Sequence, residues 1–278
     1  MKSSKAGFIL SVILGLCIFS AMAATEDTLA KIKHDGVIKW GADASGGAPF
    51  VFNDPKNPDK VVGFELEIMD KLAAHMGVKH EQVQASWETL IPNMLTRRCD
   101  MVINGIEINE ERKKVVAFSE PYYVYEQQLT VRVEDKEKYK SLADLKGKKI
   151  GTLSGAEANN VLAAAGFGEE LLMPLDDSFT PYKNLELKRV EAVLQESIIA
   201  AYYAGKNPRL CNIPKTFSPG RYAVTVRKED ATLLMEIDRV LKLMKENGEL
   251  AAIYKNWEIW TDGQKDVGVR QSPVEQNK

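Results

Sequence analysis

One arginine and one glycine-containing turn are the residues best suited to bind an anion. The guanidinium of Arg112 presents a planar fork of donors that matches a carboxylate. Ser154-Gly155-Ala156 lead into a stretch with helical spacing, and such a turn points backbone N–H groups at a negative charge. Lys146-Gly147-Lys148-Lys149 lack the spacing of a phosphate-binding loop. Both features are therefore candidates for an anion site, and the plainer alternatives are a surface arginine and an ordinary helix cap.

The residue counts give little support for a metal site or for nucleic-acid binding. Three cysteines and three histidines occur in 278 residues, and neither CxxC nor HExxH is present. We therefore expect no metal and no cofactor. Lys and Arg number 37 against 39 Asp and Glu, so the net charge is −2 and no basic excess favours nucleic acid. With 45% apolar and 27% charged residues, the composition is that of a globular protein.

The N-terminus has the pattern of a secretory signal peptide. Lys2 and Lys5 precede an apolar stretch over 8–19, and Ala21-Met22-Ala23 supply a small-x-small cleavage site. We predict that residues 1–23 are removed and that the mature chain is exported to the periplasm. A membrane anchor, for which the apolar stretch is short, and a lipid on the cysteine within it are the alternatives.

Hydrophobic spacing predicts strands that alternate with helices. Phe64, Ile68, Leu72 and Met76 recur every four residues and Gly77 ends the run, which predicts an amphipathic helix. Further helices are predicted over 88–98, 156–165 and 231–247. Strands are predicted over 36–41, 100–103, 149–153, 192–194 and 222–226. This alternation indicates an α/β fold with largely parallel sheets.

A series of segments in chain order resembles one known family. The most specific is Gly63-Phe-Glu-Leu-Glu-Ile-Met-Asp-Lys-Leu72. The others lie at 48–50, 87–92, 100–112, 118–122, 141–147, 189–194 and 247–257. Over roughly residues 28–258 the chain is similar to the periplasmic solute-binding proteins of polar amino-acid ABC transporters, the family 3 extracellular solute-binding proteins.

This resemblance implies a type II periplasmic-binding-protein fold. Two α/β lobes with mixed, mostly parallel sheets are joined by two hinge strands and close over a small ligand. Lobe 1 is expected to comprise 24–122 together with 223–278, and lobe 2 to comprise 123–222. Cys99 then falls in lobe 1 and Cys211 in lobe 2, so we expect no disulfide bond between them.

The resemblance also assigns ligand contacts. It implies that Arg112 and the turn before the lobe 2 helix hold a ligand α-carboxylate, while Glu196 binds the α-ammonium. It implies that Trp87 packs on the ligand and that Asp43 serves a polar or cationic side chain. The full predicted ligand-binding set is Asp43, Phe50, Trp87, Asn104, Gly105, Glu107, Arg112, Ser154, Gly155, Ala156, Glu157 and Glu196.

Two residues depart from the family pattern. Glu107 stands where a hydroxyl residue is usual, and Glu157 where a small residue is usual. If both face inward, four candidate acids meet one arginine, which is costly without a bound cation or a proton. Either side chain could instead face solvent. Glu107 could also pair with Arg112 and compete with the ligand carboxylate, which would leave an amine as the ligand.

The resemblance implies a binding protein rather than an enzyme. The expected function is capture of a small polar or cationic amino acid, or a related amine, as a monomer that delivers it to an inner-membrane ABC permease. Cyclohexadienyl dehydratases resemble the same family, but the position of their catalytic Glu is Ile199 in this chain. A ligand-sensing module is a third alternative, although no kinase or membrane region follows the domain.

Overall fold

The computed structural model describes residues 27–271. The predicted signal peptide, 1–23, lies outside the described residues, so its cleavage stays a prediction. The described strands are β1 (Val37–Ala42), β2 (Phe52–Asp54), β3 (Asn57–Val62), β4 (Lys79–Gln84), β5 (Met101–Val102), β6 (Ala117–Phe118), β7 (Tyr123–Arg132), β8 (Ile150–Leu153), β9 (Leu172–Leu175), β10 (Ala192–Glu196), β11 (Leu210–Asn212), β12 (Phe217–Tyr222) and β13 (Thr225–Val226).

Helices cover both sheets. They are α1 (Thr28–Asp35), α2 (Phe64–Met76), α3 (Leu90–Leu95), α4 (Glu110–Lys113), α5 (Glu157–Ala164), α6 (Thr180–Glu186), α7 (Ser197–Tyr203), α8 (Ala231–Glu246) and α9 (Glu249–Asn256). The amphipathic spacing of α2 buries Phe64, Ile68, Leu72 and Met76, and Gly77 ends the helix in the left-handed conformation. None of the described helices is long and apolar enough to span a membrane.

Two separate sheets form the two lobes. The lobe 1 sheet has the order β4-β1-β5-β13-β6, and the lobe 2 sheet has the order β11-β7-β10-β8-β9 with β12 also paired to β7. Among the described strands, β13 alone runs against the others in the first sheet and β7 alone in the second. The fold is therefore α/β with mixed, mostly parallel sheets. A hairpin of β2 and β3 lies beside them.

The connection between the lobes runs through two paired segments. The backbone N–H of Tyr122 donates to the carbonyl of Tyr222 at 3.0 Å, where β7 begins and β12 ends. From there β7 and β12 run antiparallel, with Val124 opposite Arg221. The lobe boundaries at 122/123 and 222/223 stay predictions. Cys99 is buried and Cys211 is half-buried, and both are free thiols in this structure.

Two element predictions need correction, and several strands were not predicted. The helix predicted over 88–98 is shorter: a 3₁₀ turn (Trp87–Thr89) precedes α3, which ends at Leu95, and Arg97 adopts a φ of 61° that no helix continues through. The strand predicted over 222–226 is divided between β12 and β13, which belong to different sheets. Strand β4 was not predicted, because its sequence KHEQVQ has only one apolar residue.

Candidate ligand-binding site

A cavity of about 30 Å³ lies between the two lobes. Several of its residues lie at or just after the carboxyl ends of β1, β5, β8 and β10, where β1 and β5 are parallel in one sheet and β8 and β10 in the other. Clefts at the carboxyl ends of parallel strands are the usual ligand sites of open α/β sheets. The residues lining the cavity are Asp43, Gly46, Gly47, Phe50, Trp87, Asn104, Gly105, Glu107, Leu153, Ser178, Glu196, Ile199 and Tyr222.

The predicted residues divide into two groups. Those that line the cavity are Asp43, Phe50, Trp87, Asn104, Gly105, Glu107 and Glu196. Those that are not among its lining residues are Arg112, Ser154, Gly155, Ala156 and Glu157. Sequence reasoning missed Gly46, Gly47, Leu153, Ser178, Ile199 and Tyr222 as lining residues. Of the missed residues, Leu153 ends a predicted strand, and its position beside the predicted glycine turn was the signal that could have found it.

The carboxylate of Asp43 accepts three hydrogen bonds from residues beside the cavity. Its Oδ2 accepts the backbone N–H of Trp87 at 2.8 Å. Its Oδ1 accepts from the backbone N–H of Ser45 at 2.9 Å and from the Gln84 amide at 3.1 Å. Both carboxylate oxygens therefore have donors within the protein, and Asp43 positions the aromatic ring of Trp87 at the cavity.

Gly105 allows the chain to approach the aromatic floor of the cavity. Its φ is 62°, and a Cβ at this position would lie 2.7 Å from the ring of Phe50. Its backbone N–H donates to Oε1 of Glu65 at 2.7 Å. The phenol of Tyr122 donates to the same oxygen, while Oε2 of this fully buried carboxyl group has no partner among the described residues. Glu65 thus fixes the position of Gly105, which lines the cavity.

Burial raises the pKa of Glu65 from 4.5 to about 8. The folded protein therefore holds this proton more tightly than the unfolded chain does. The contribution to the free energy of unfolding is complete below about pH 4.5 and is lost as the pH rises to about 8, at roughly 1.4 kcal/mol per pH unit. We expect Glu65→Gln to make the free energy of unfolding depend less steeply on pH than in wild type, as measured by urea unfolding from pH 5 to pH 9. An unchanged slope in the variant would show that Glu65 is ionised throughout.

Aromatic rings form the other face of the cavity. Phe50 meets Tyr222 edge to face at a centroid distance of 5.6 Å, and Tyr222 stacks on Tyr125 at 4.4 Å. The guanidinium carbon of Arg112 lies 5.5 Å from the centre of the Trp87 ring. Rings in this setting present apolar faces and negative π-surfaces, which attract cations.

Arg112 is engaged by Glu107. Its Nη1 donates to Oε2 of the Glu107 side chain and, at 2.9 Å, to the Glu107 carbonyl oxygen. Oε1 of Glu107 accepts the backbone N–H of Glu157 at 3.0 Å, at the first residue of α5. Glu107 is 1% exposed. The guanidinium and the helix N–H predicted to hold an anion thus hold a carboxylate of the chain itself.

Glu196 adds a second buried carboxyl group. It ends β10, is 3% exposed, and its Oε2 has no hydrogen-bond partner among the described residues. Burial, and then the neighbouring carboxylate of Glu107, raise the pKa of Glu196 well above its usual range. The side chain of Glu157, by contrast, bonds to Asn109 and Asn160 outside the cavity.

Hydrogen bonds across the cleft close one lobe on the other. Nη2 of Arg112 donates to the Gly155 carbonyl at 3.1 Å, and the hydroxyl of Ser154 donates to Glu88 at 2.8 Å. At the opposite end, the backbone N–H of Ser178 donates to the Gly46 carbonyl at 2.8 Å. The structure is therefore a closed form. Within residues 27–271, no group of three or more His, Cys, Asp or Glu side chains is arranged to hold a metal ion.

Two lobes that close over a cavity at the ends of parallel strands define an extracytoplasmic binding-protein architecture. The model of the bacterial extracellular solute-binding proteins, family 3, matches residues 38–259. The chain belongs to this family.

Individual relatives agree with this assignment. The chain is 31% identical over 235 residues to the L-cystine-binding protein TcyJ of Escherichia coli (strain K12), with 84% of this chain and 87% of that protein covered. It is also similar to a solved structure of a mutant of ArgBP from T. maritima, at 32% identity and a TM-score of 0.75, with 83% and 98% of the two chains covered. A structure of the ancestral amino acid-binding protein AncCDT-1, a precursor of cyclohexadienyl dehydratase, gives 29% identity, a TM-score of 0.75 and coverage of 83% and 99%.

Proposed function

We propose that this protein is the periplasmic component of an ABC importer and captures a small amino acid or a related amine between its lobes. The observation that carries the proposal is a closed, acid- and aromatic-lined cavity between two lobes. Relatives named as cystine-binding and arginine-binding proteins support this solute class. The partners we propose are the solute and an inner-membrane permease, with the binding protein acting as a monomer.

The cavity favours binding over catalysis. A dehydratase on this fold needs a group that transfers a proton to the substrate. The position at which the dehydratase-like alternative expects its Glu is Ile199, which is 1% exposed and gives the cavity an apolar wall. The proposal therefore assigns no catalytic residue.

A thermal-unfolding screen tests the proposal. A solute that binds only the folded protein stabilises it by about 2.7 kcal/mol at one hundred times its Kd. We expect at least one compound in a panel of proteinogenic amino acids and small amines to raise the Tm by several degrees. A turnover assay on prephenate supplies the counter-test. Measurable turnover, or a panel without any shift, would contradict the proposed function.

A further inference from the structure

We propose that Glu107 fills the anion site of the cleft, so that the solute is a compact organic cation without a carboxylate, an alkylammonium or guanidinium compound. This inference rests on the proposed function and narrows its solute class. The site is defined by Glu107, Glu196 and the rings of Phe50, Trp87 and Tyr222.

The donors that suit a solute carboxylate are already used. The Arg112 guanidinium bonds to Glu107 through Nη1 and to the Gly155 carbonyl through Nη2. The backbone N–H of Glu157 bonds to the other Glu107 oxygen at 3.0 Å. A solute carboxylate would have to displace Glu107 and strand its charge in a place that is 1% exposed. Removing the partner of a buried charge is strongly unfavourable.

The two carboxyl groups of the cavity, Glu107 and Glu196, favour a cationic solute. Glu107 and Glu196 face each other, and the cationic group that acts on Glu196 is Arg112. Oε2 of Glu196 is buried without a donor, which is costly. An ammonium or guanidinium group supplies the missing N–H, and the aromatic rings of the cavity favour its charge. A solute carboxylate would instead lie beside the carboxylate of Glu107 and compete with it for the same donors.

Binding of a cation should release a proton. Burial and the neighbouring carboxylate of Glu107 raise the pKa of Glu196, so at a pH below that raised pKa a cation that binds to its carboxylate displaces a proton to the solvent. The titratable and charged groups around Glu196 are Glu107, Arg112, Tyr125, Tyr182 and Tyr222. The pKa values of these three tyrosines are also raised by burial, so they stay neutral and leave Glu196 as the group that ionises. Affinity should therefore rise with pH.

Matched pairs of compounds test the inference by titration calorimetry. The probes are alanine and ethylamine, lysine and cadaverine, and arginine and agmatine, where each amine is its amino acid without the carboxylate. We expect at least one amine to bind wild type ten times or more tightly than its amino acid, with proton release seen as a dependence of the binding enthalpy on the buffer.

Variants at Glu107 provide a second test of the inference. Glu107→Ala frees Arg112 and the Glu157 N–H, so it should reverse the preference toward the amino acid by tenfold or more. Glu107→Gln keeps the side-chain size and should weaken amine binding without requiring a repacked cleft. Glu110→Ala removes the same charge three residues away, at a side chain that is 82% exposed, and should leave the preference unchanged.

The outcomes separate the inference from the proposed function. If wild type binds every amino acid at least as tightly as its amine, the inference is wrong and the proposed function stands. If none of the six probes binds, the inference is also wrong, and the thermal-unfolding screen decides whether another amino acid or amine preserves the proposed function. An unchanged preference in both Glu107 variants would show that Glu107 does not occupy the anion site.

Discussion

Glu196→Gln should weaken solute binding roughly tenfold to a hundredfold. A hydrogen bond to a charged group contributes about 1.5–3 kcal/mol, and each 1.4 kcal/mol corresponds to tenfold in Kd. Gln has the same shape, but it cannot supply the negative charge that faces a bound cation. Since Glu196 is almost fully buried at the end of β10, a carboxylate on the protein surface does not take its place. Calorimetry with the best compound from the screen measures the loss.

The stability of the same variant distinguishes a binding role from a structural one. Burial raises the pKa of Glu196 in the folded protein. The free energy of unfolding therefore falls as the pH rises, because ionising this carboxyl group is less favourable in the folded protein than in the unfolded chain. Glu196→Gln should therefore be at least as stable as wild type at pH 7. Glu191→Gln, the same change just before the start of β10, is the matched control and should bind normally. Loss of stability together with binding would assign Glu196 a structural role instead.

Arg112→Ala should lower both stability and solute affinity. It removes the partner of a buried carboxylate, which costs about 3 kcal/mol or more in free energy of unfolding when one member of a buried ion pair is stranded. It also removes the 3.1 Å hydrogen bond from Nη2 of Arg112 to the Gly155 carbonyl oxygen, which joins the two lobes across the cleft. We expect solute binding to weaken tenfold or more, because the closed state loses one of its bridges.

A double-mutant cycle measures the coupling free energy between Glu107 and Arg112. If Glu107 and Arg112 form one unit, the Glu107→Ala/Arg112→Ala variant should be more stable than Arg112→Ala alone, since no charge is left stranded. Urea unfolding of the four proteins gives the coupling free energy. Effects that simply add would show that the two side chains act independently. Arg112→Lys should fall between wild type and Arg112→Ala, because an ammonium keeps the charge but lacks the planar fork whose two nitrogens reach Glu107 and Gly155 separately.

The fold could be predicted wherever apolar residues follow a clear period. The spacing in α2 and α8 and the short apolar strands β5, β8 and β10 indicate α/β architecture directly. Prediction failed where a strand lies at an edge and carries polar residues, as in β4. It also failed at the junction of β12 and β13, since a run of consecutive apolar residues does not show that the chain passes from one sheet to another there.

The site was predicted better on lobe 1 than on lobe 2. Asp43 directly follows the end of β1, and Asn104 and Glu107 lie after β5 in a segment that resembles the family, so the sequence indicated their positions. Ser178 reaches the cavity from the loop after β9, because a hydrogen bond ties it to Gly46 on the other lobe. No local pattern encodes such a contact. The pairing of Glu107 with Arg112 was one of several open alternatives in the sequence, and geometry was needed to select it.

Closure of the cleft around the solute is the central claim, and small-angle X-ray scattering tests it most directly. The mature protein should have a larger radius of gyration alone than with a saturating concentration of the solute found by the screen, because the solute contacts both lobes and favours the closed form. A compound from the panel that does not shift the Tm is the control and should leave the scattering unchanged. An identical radius with and without the saturating solute would contradict capture by closure.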